Sequence, residues 1–385
     1  MDLDLTAEQT IIQDTARSFA KRELAPMAAR RDHEDIFPLG ELRALADIGL
    51  MGVNVPEAYG GMEAGVVAYS LAITELAKGC AATTVAVAVT NMVAEVICKF
   101  GTEAQKRRYV AGLTSGELVT GSFSLSEPQS GSDAAAMRTR AVRGDGGWVL
   151  NGTKQWITSG DASGVNVVWA KTDPEAGARG ITCFLVEKGA PGFTCGRHED
   201  KMGLRGSSTV PQTLEDCFVS DDRVLGDLGD GFKLAMIALD GGRIGVGSQA
   251  LGIGLAALEE GRKYALERRA FGKPIAELQG LQWMLADSST ELDAAQLLIL
   301  RAAWLKESGS PFTLEASMAK VYATEAAFRT CDRMLQIHGG YGYVKEYAVE
   351  RHLRDCRVTR IYEGTSEIQR LVIARELRRR QELLL

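Results

Sequence analysis

The stretch Arg360-Ile-Tyr-Glu-Gly-Thr-Ser-Glu-Ile-Gln-Arg370 places a carboxylate, Glu363, directly before Gly364 and ahead of a helix start signalled by Ser366 and Gln369 at capping-box spacing. A glutamate at such a helix mouth, on a hinge, can reach into a pocket. Desolvation between apolar neighbours would raise its pKa towards that of a useful general base, opposed in part by the positive helix end. The plain alternative is a solvated charge, one among fifty acidic residues. In Phe123-Ser-Leu-Ser-Glu-Pro-Gln-Ser-Gly-Ser-Asp133 a strand-like start runs into a turn rich in Gly, Ser and Pro, carrying Leu125, Ser126, Gly131 and Ser132. Such a turn exposes backbone N–H groups and hydroxyls to an anion and would suit a flavin's ring edge and pyrophosphate, although turns of this composition also simply join strands.

Lys154-Gln-Trp-Ile-Thr158 sets Trp156 beside Ile157 and Thr158. The indole could lie against a ring system while the threonine hydroxyl bonds its edge, or the segment could be ordinary sheet packing. Arg268 closes a helical run next to Gly272-Lys-Pro274, where a guanidinium can fork two phosphate oxygens or merely favour a helix C-terminus. In Gln336-Ile-His-Gly-Gly340 the paired glycines permit close approach of backbone to a ligand and equally well stop a helix; His338 alone reads as structural.

The elements that must position these residues follow from periodicity. From Thr6 to about Gly112 apolar residues recur at helical spacing, with capping-box pairs at Thr6/Gln9 and Thr102/Gln105. From about Leu118 short β-rich runs alternate with Gly and Pro turns, and after Gly226 helical spacing returns, including Pro274 to Ser308 with Pro274 in the first turn, and Phe312 to Gln336. The expected architecture is α+β and multidomain: an N-terminal helical domain (1–117), a middle β domain of antiparallel, barrel-like sheets (118–225) and a C-terminal four-helix bundle (226–385). Gly245-Val-Gly-Ser-Gln-Ala250 and Gly252-Ile-Gly-Leu-Ala-Ala257 match a dinucleotide fingerprint, but both fall inside the helix-spaced run Phe232–Tyr264 without the required strand, so they read as small residues for close helix packing.

Composition narrows the functional classes. Hydrophobic residues at 45% and charged residues at 24% describe a globular chain of 385 residues, and the formal charge of −6 gives no broad attraction to nucleic acid. Seven cysteines without a Cys-x-x-Cys pair and four dispersed histidines argue against a disulfide framework or a metal site. The acidic N-terminus lacks a signal-peptide pattern, and no uninterrupted apolar run reaches the length that crosses a bilayer. Reduced surroundings are expected, the bacterial cytoplasm first, with a processed mitochondrial matrix protein left open.

Taken together, FSLSEPQSGSD, KQWIT, ERRAFGKPI followed by Leu278-Gln279, QIHGGYGY and IYEGTSEIQR resemble the acyl-CoA dehydrogenase family over nearly the whole chain, with GITCFLVEKGAPGF and LDGGRIGVGSQALG most like its short-chain and short branched-chain members, butyryl- or isobutyryl-CoA types. The resemblance implies FAD, held through Phe123, Leu125, Ser126, Gly131, Ser132, Trp156, Ile157 and Thr158 of one subunit. It implies that Arg268, Ala270, Phe271, Leu278, Gln279, Gln336, Ile337, His338, Gly339 and Gly340 reach FAD of a neighbouring subunit, hence a homo-oligomer, a tetramer built as a dimer of dimers. Thr365 and Glu367 would contact the adenosine side, and Ser132, Asp240, Arg243 and Gly364 the acyl-CoA. Glu363 matches the catalytic base, removing the α proton while flavin N5 takes hydride from the β carbon to give a trans-2-enoyl-CoA, with electrons passed to an electron-transfer flavoprotein.

Some branches of the family place the base just before the arginine corresponding to Arg243; Gly242 there cannot accept a proton. Ser159 and Glu367 depart from the Asn and Gln of many relatives. An oxygen-using acyl-CoA oxidase and a non-catalytic scaffold of the same fold remain the alternatives.

Overall fold

A computed structural model of the chain describes residues 4–379. Its N-terminal region is built from α1 (Ala7–Phe19), α2 (Ala25–Glu34), α3 (Leu39–Asp47), α4 (Gly65–Gly79), α5 (Ala81–Phe100) and the short α6 (Glu103–Gln105) and α7 (Ala111–Thr114). Both capping boxes form: Thr6 and Gln9, and Thr102 and Gln105, each satisfy the other's free N–H. The helix α5 is long and apolar enough to cross a bilayer by length and composition, and here it lies buried at the centre of the core. The uninterrupted-run criterion missed it because Asn91 and Glu95 break the stretch.

The strands follow: β1 (Gly121–Ser124), β2 (Arg140–Gly144), β3 (Gly147–Thr158), β4 (Val165–Lys171), β5 (Ile181–Glu187), β6 (Phe193–Cys195), β7 (Thr209–Ser220) and β8 (Val224–Leu225). They form one sheet in the order β6-β7-β3-β2-β4-β5-β8, with β1 alongside β4. Pairing is antiparallel except at β1–β4 and β2–β4, so the sheet is mixed rather than purely antiparallel. Strand β4 explains how the sheet joins the helices. Its alternate residues Val165, Val167 and Trp169 enter the large helical core, while Val168 and Ala170 enter a second core on the other face, as a period of two requires. Trp169 Nε1 then donates to Gly231 O (2.7 Å) and its ring packs on Phe123 at 4.3 Å, fastening the sheet to the next helix.

That helix, α8 (Gly231–Glu267), runs about 55 Å at 1.5 Å per residue. It is followed by the two-residue strands β9 (Arg269–Ala270) and β10 (Lys273–Pro274), then α9 (Gln279–Glu307), α10 (Thr313–His338), α11 (Ala348–Arg357) and α12 (Ser366–Arg379). Pro274 therefore does not open α9: it pairs in an antiparallel ribbon with Arg269, and the helix starts five residues later. The glycine-rich motifs lie within α8, and their role is close packing. A Cβ on Gly252 would stand 2.3 Å from Thr74 O of α4, and one on Gly254 would stand 2.7 Å from Leu292 of α9 and 3.1 Å from Ala327 of α10. Because the Gly252 neighbour is backbone, Gly252→Val should lower stability by about 1–3 kcal/mol, read as a fall in the thermal unfolding midpoint; an unchanged midpoint would contradict this packing.

Candidate active site

Glu363 lies between a short helical turn (Val358–Arg360) and α12. It takes φ 51° and Gly364 takes φ 95°, consecutive left-handed residues. The conformation is free for glycine but costs a side-chain-bearing residue on the order of 1–3 kcal/mol, so the surroundings must hold it. Gln369 Nε2 donates to Glu363 O (3.2 Å) and Gly364 O (2.9 Å), and Lys320 Nζ of α10 donates to Gly364 O (2.8 Å). On the preceding residue, Tyr362 donates its hydroxyl to Gln249 of α8, whose Nε2 reaches Ala81 O of α5 (2.9 Å). The turn is thus tied to α5, α8, α10 and α12 and is not a hinge.

The expected Ser366/Gln369 capping box is absent as well. Gln369 is spent on the turn's carbonyls, Ser366 donates to Glu325 (2.8 Å), and Thr365 Oγ1 caps the helix through Ile368 N (3.3 Å).

The Glu363 carboxylate points back over α8. A Cβ on Gly242 would fall 2.2 Å from its Oε2 and 2.8 Å from Met92 Sδ. The absence of a side chain at Gly242 therefore does more than remove a rival base: it makes the space that the carboxylate occupies. Glu363 as a residue keeps partial exposure, but its Oε2 is shut off from solvent and has no hydrogen-bond partner among the described residues. Burial lifts the pKa from 4.5 to about 7, and the cations Lys320 and Arg243 restrain the rise. Two side chains thus oppose burial, a contribution that the sequence reading of Glu363 did not include.

Arg243 is buried; its guanidinium pairs with Asp240 and donates to Ser317 (3.2 Å), while Thr313 donates to the other Asp240 oxygen (2.6 Å). Its Nε remains buried without a hydrogen-bond partner among the described residues.

The first cofactor segments converge. Gln155 N donates to Ser126 O (2.9 Å), joining the Phe123–Ser132 loop to β3, and a buried ion pair, Lys154 Nζ to Glu127 Oε1 at 2.8 Å, sits beneath it. Lys154 also holds Leu125 O (3.3 Å), and Glu127 accepts from Thr139 N and Arg138 N. Burial alone would raise the Glu127 pKa; the ammonium and these donors outweigh it and keep the carboxylate ionised. In β3 the register against β7 slips between Lys154 and Ile157, and Trp156 takes φ 64°. That bulge turns the indole outward, 61% exposed, while Leu125 and Ile157 go into the core and can meet a ligand only through backbone.

A planar ring system fits what is there: an open indole face, the exposed Gly131 and Ser132, half-buried Phe123, Ser126 and Thr158, and the buried, unpartnered Ser159 Oγ beside them.

The second group is likewise assembled, by contacts of its own. The Arg268 guanidinium lies over the Tyr341 ring at 5.6 Å, and His338 stacks on Tyr264 at 4.2 Å with Nδ1 against Met334 O (2.8 Å). His338 and Ile337 are buried, so their side chains serve the core rather than a ligand. Arg268, Phe271, Gln279, Gln336, Gly339 and Gly340 are exposed, and Ala270 and Leu278 half-buried. Among the described residues no hydrogen bond, ion pair or ring contact joins this group to the first. Thr365 caps α12 and Glu367 is exposed at its start. Lys320, Met92, Gln249 and the Lys154–Glu127 pair escaped the sequence reading. A lysine and a glutamine inside strongly apolar helical faces were the only signal for the first and third.

Comparison with known proteins covers nearly the whole chain. Residues 6–117, 122–217 and 229–378 match the N-terminal, middle and C-terminal domain models of acyl-CoA dehydrogenase. The chain is 48% identical to the mitochondrial short-chain specific acyl-CoA dehydrogenase of Bos taurus, covering 97% of this chain and 91% of that protein. It is 46% identical to acryloyl-CoA reductase (NADH) of Anaerotignum propionicum, covering 99% and 97%. The solved butyryl-CoA dehydrogenase of Megasphaera elsdenii superposes with a TM-score of 0.96 at 42% identity, covering 98% and 100%. A chain solved in work on the electron transferring flavoprotein of Acidaminococcus fermentans gives 0.97 at 43%, covering 99% and 100%.

Filling the space at Gly242 should displace the carboxylate. Gly242→Ala is expected to retain bound flavin but to slow its reduction by an acyl-CoA by about 10²-fold, the scale of a misplacement of about 1 Å; stopped-flow absorbance checks this, and a wild-type rate would place the carboxylate elsewhere.

Proposed function

The chain belongs to the acyl-CoA dehydrogenase family, and from that premise we propose that it oxidises a short-chain or short branched-chain acyl-CoA to the trans-2-enoyl-CoA with Glu363 as the base that takes the α proton. One observation carries the assignment of the base: Glu363 Oε2 is buried, unpartnered among the described residues and on a group with a pKa of about 7, so a thioester placed beside it would find a proton acceptor matched to neutral pH. FAD, when bound, supplies the two-electron acceptor for the hydride leaving the β carbon. The residues that would hold it are Phe123, Ser126, Gly131, Ser132, Trp156 and Thr158, with Leu125 and Ile157 contributing backbone.

Among the described residues the Glu363 N–H has no backbone acceptor, and it is the donor for the thioester oxygen as it gains negative charge. Asp240, Arg243, Ser132 and Gly364 belong to the acyl-CoA side. Electrons pass to an electron-transfer flavoprotein, in keeping with the similarity to the Acidaminococcus chain.

The second cofactor group supports assembly. Phe271 and Tyr343 are 89% and 86% exposed, and the exposed Tyr341 ring lies under Arg268; a second copy covering these side chains would bring Arg268 and Gln336 to the neighbour's FAD. The assembly is a homotetramer, a dimer of such dimers.

A second reading runs the same machinery in reverse. A carboxyl with a pKa near 7 is populated in both protonation states at neutral pH and can give the α proton back, and the 46% identity to acryloyl-CoA reductase is close to the 48% to the Bos taurus dehydrogenase.

Anaerobic mixing of the FAD-loaded protein with butyryl-CoA or isobutyryl-CoA should bleach the flavin, at a rate that rises with pH through a midpoint near 7 because only the ionised base acts. Glu363→Gln should keep the yellow colour and acyl-CoA binding while lowering that rate by about 10²–10⁴-fold and abolishing α-proton exchange. Retained exchange in the variant would move the base elsewhere. No bleaching by the acyl-CoAs, with oxidation of pre-reduced flavin by an enoyl-CoA, would favour the reductive reading, and rapid reoxidation by air with release of peroxide would favour an oxidase.

A further inference from the structure

Lys320 is wholly enclosed in the helical core, 0% exposed, and among the described residues it forms no contact ion pair. A buried ammonium without a contacting carboxylate is costly, and such a lysine calls for a compensating partner. Its place on α10 supplies one. Ser317, Lys320 and Thr324 stand at spacings of three and four, on one helical face. Ser317 meets Arg243, and Lys320 Nζ reaches Gly364 O at 2.8 Å, one residue beyond Glu363.

The other charges around it are already engaged. Glu325 pairs with Arg360 at 2.9 Å and accepts from Ser366, Asp240 holds Arg243, and Glu367 is exposed at the start of α12. Glu363 faces Lys320 from the turn and Arg243 from α8. Tyr362 and, on α4, Tyr69 also feel its charge, and Tyr69 feels Glu95 of α5 as well. Glu363 is therefore the carboxylate left for Lys320 to balance.

We propose that Lys320 is the positioning residue of the base: its buried ammonium grips Gly364 O, keeps the Glu363–Gly364 turn left-handed with the carboxylate over Gly242, and supplies the charge against which that carboxylate ionises. The inference rests on the reading of Glu363 as the base. It asks something specific of this lysine, since a neutral donor of similar reach would hold the turn without helping Glu363 lose its proton. Burial lowers the Lys320 pKa to about 8, with Glu363 the largest influence holding it up. The ammonium is thus still mostly charged at the midpoint of the Glu363 titration.

The test uses the FAD-loaded, full-length protein and follows anaerobic bleaching by butyryl-CoA from about pH 5 to pH 9 for wild type, Lys320→Met, Lys320→Arg and Glu363→Gln. Removing the cation leaves the Glu363 carboxylate less stabilised, so its pKa rises. In Lys320→Met the acid limb should move up by about one pH unit, a roughly tenfold loss of rate below the midpoint, with affinity for acyl-CoA nearly unchanged. Lys320→Arg should return the limb towards the wild-type position. Should Lys320→Met not retain flavin, Lys320→Gln, which keeps a donor but no charge, carries the same expected shift. A wild-type pH profile and rate in the uncharged variant would overturn the role of Lys320, whatever Glu363→Gln does. Fast bleaching by Glu363→Gln would instead overturn the assignment of the base itself.

Discussion

On the proposed reading of Glu363 as the base, a carboxylate that takes a proton from carbon has to be kept from water without being neutralised, and the surroundings of Glu363 meet both demands. Burial pushes the Glu363 pKa up to about 7; Lys320 and Arg243 stop it from going further. With less burial the group would be an ordinary weak base. Without the two cations it would hold its proton at neutral pH. The balance is struck by side chains from α8 and α10, the two helices most extensively packed together, so the electrostatics of one atom are set by the geometry of the helical core.

Backbone strain serves the same end. Two successive left-handed residues are an unfavourable way to leave a short helical turn, yet they aim Glu363 back over α8 rather than along α12. Gln369, Lys320 and the Tyr362–Gln249–Ala81 chain hold that conformation. A comparable arrangement recurs in the sheet. Lys154 and Glu127 form a buried ion pair under the Phe123–Ser132 loop, and a register slip throws Trp156 out of a strand whose neighbours are in the core. In both places a buried cation from a regular element fixes an irregular segment to which the proposed function assigns a role.

Much of this was legible in the sequence because it rests on local rules. The α, β, α order follows from periodicity, the two capping boxes from spacing, and the packing role of the α8 glycines from the missing strand before them. The site motifs, once joined, pointed to one family. Long-range contacts were not legible. Pro274 looked like a first helical turn because its neighbours allow it, but Arg269 pairs with it across a ribbon. Ser366 and Gln369 had capping spacing, but the carbonyls of Glu363 and Gly364 claimed the glutamine. Lys320 passed unnoticed because a lysine on a helix is normally solvated, and only its burial against a residue 44 positions away shows otherwise. Ile337 and His338, carried along by their motif, proved to face inward, since a motif marks a segment and not the direction of each side chain.

The central claim, a carboxyl buried yet titrating at neutral pH, can be measured without turnover. Infrared difference spectra of wild type minus Glu363→Gln, recorded across pH, should show a protonated carboxyl C=O stretch that disappears with a midpoint near 7. A stretch lost near 4.5, the ordinary value for glutamate, would show a solvated side chain and contradict the account.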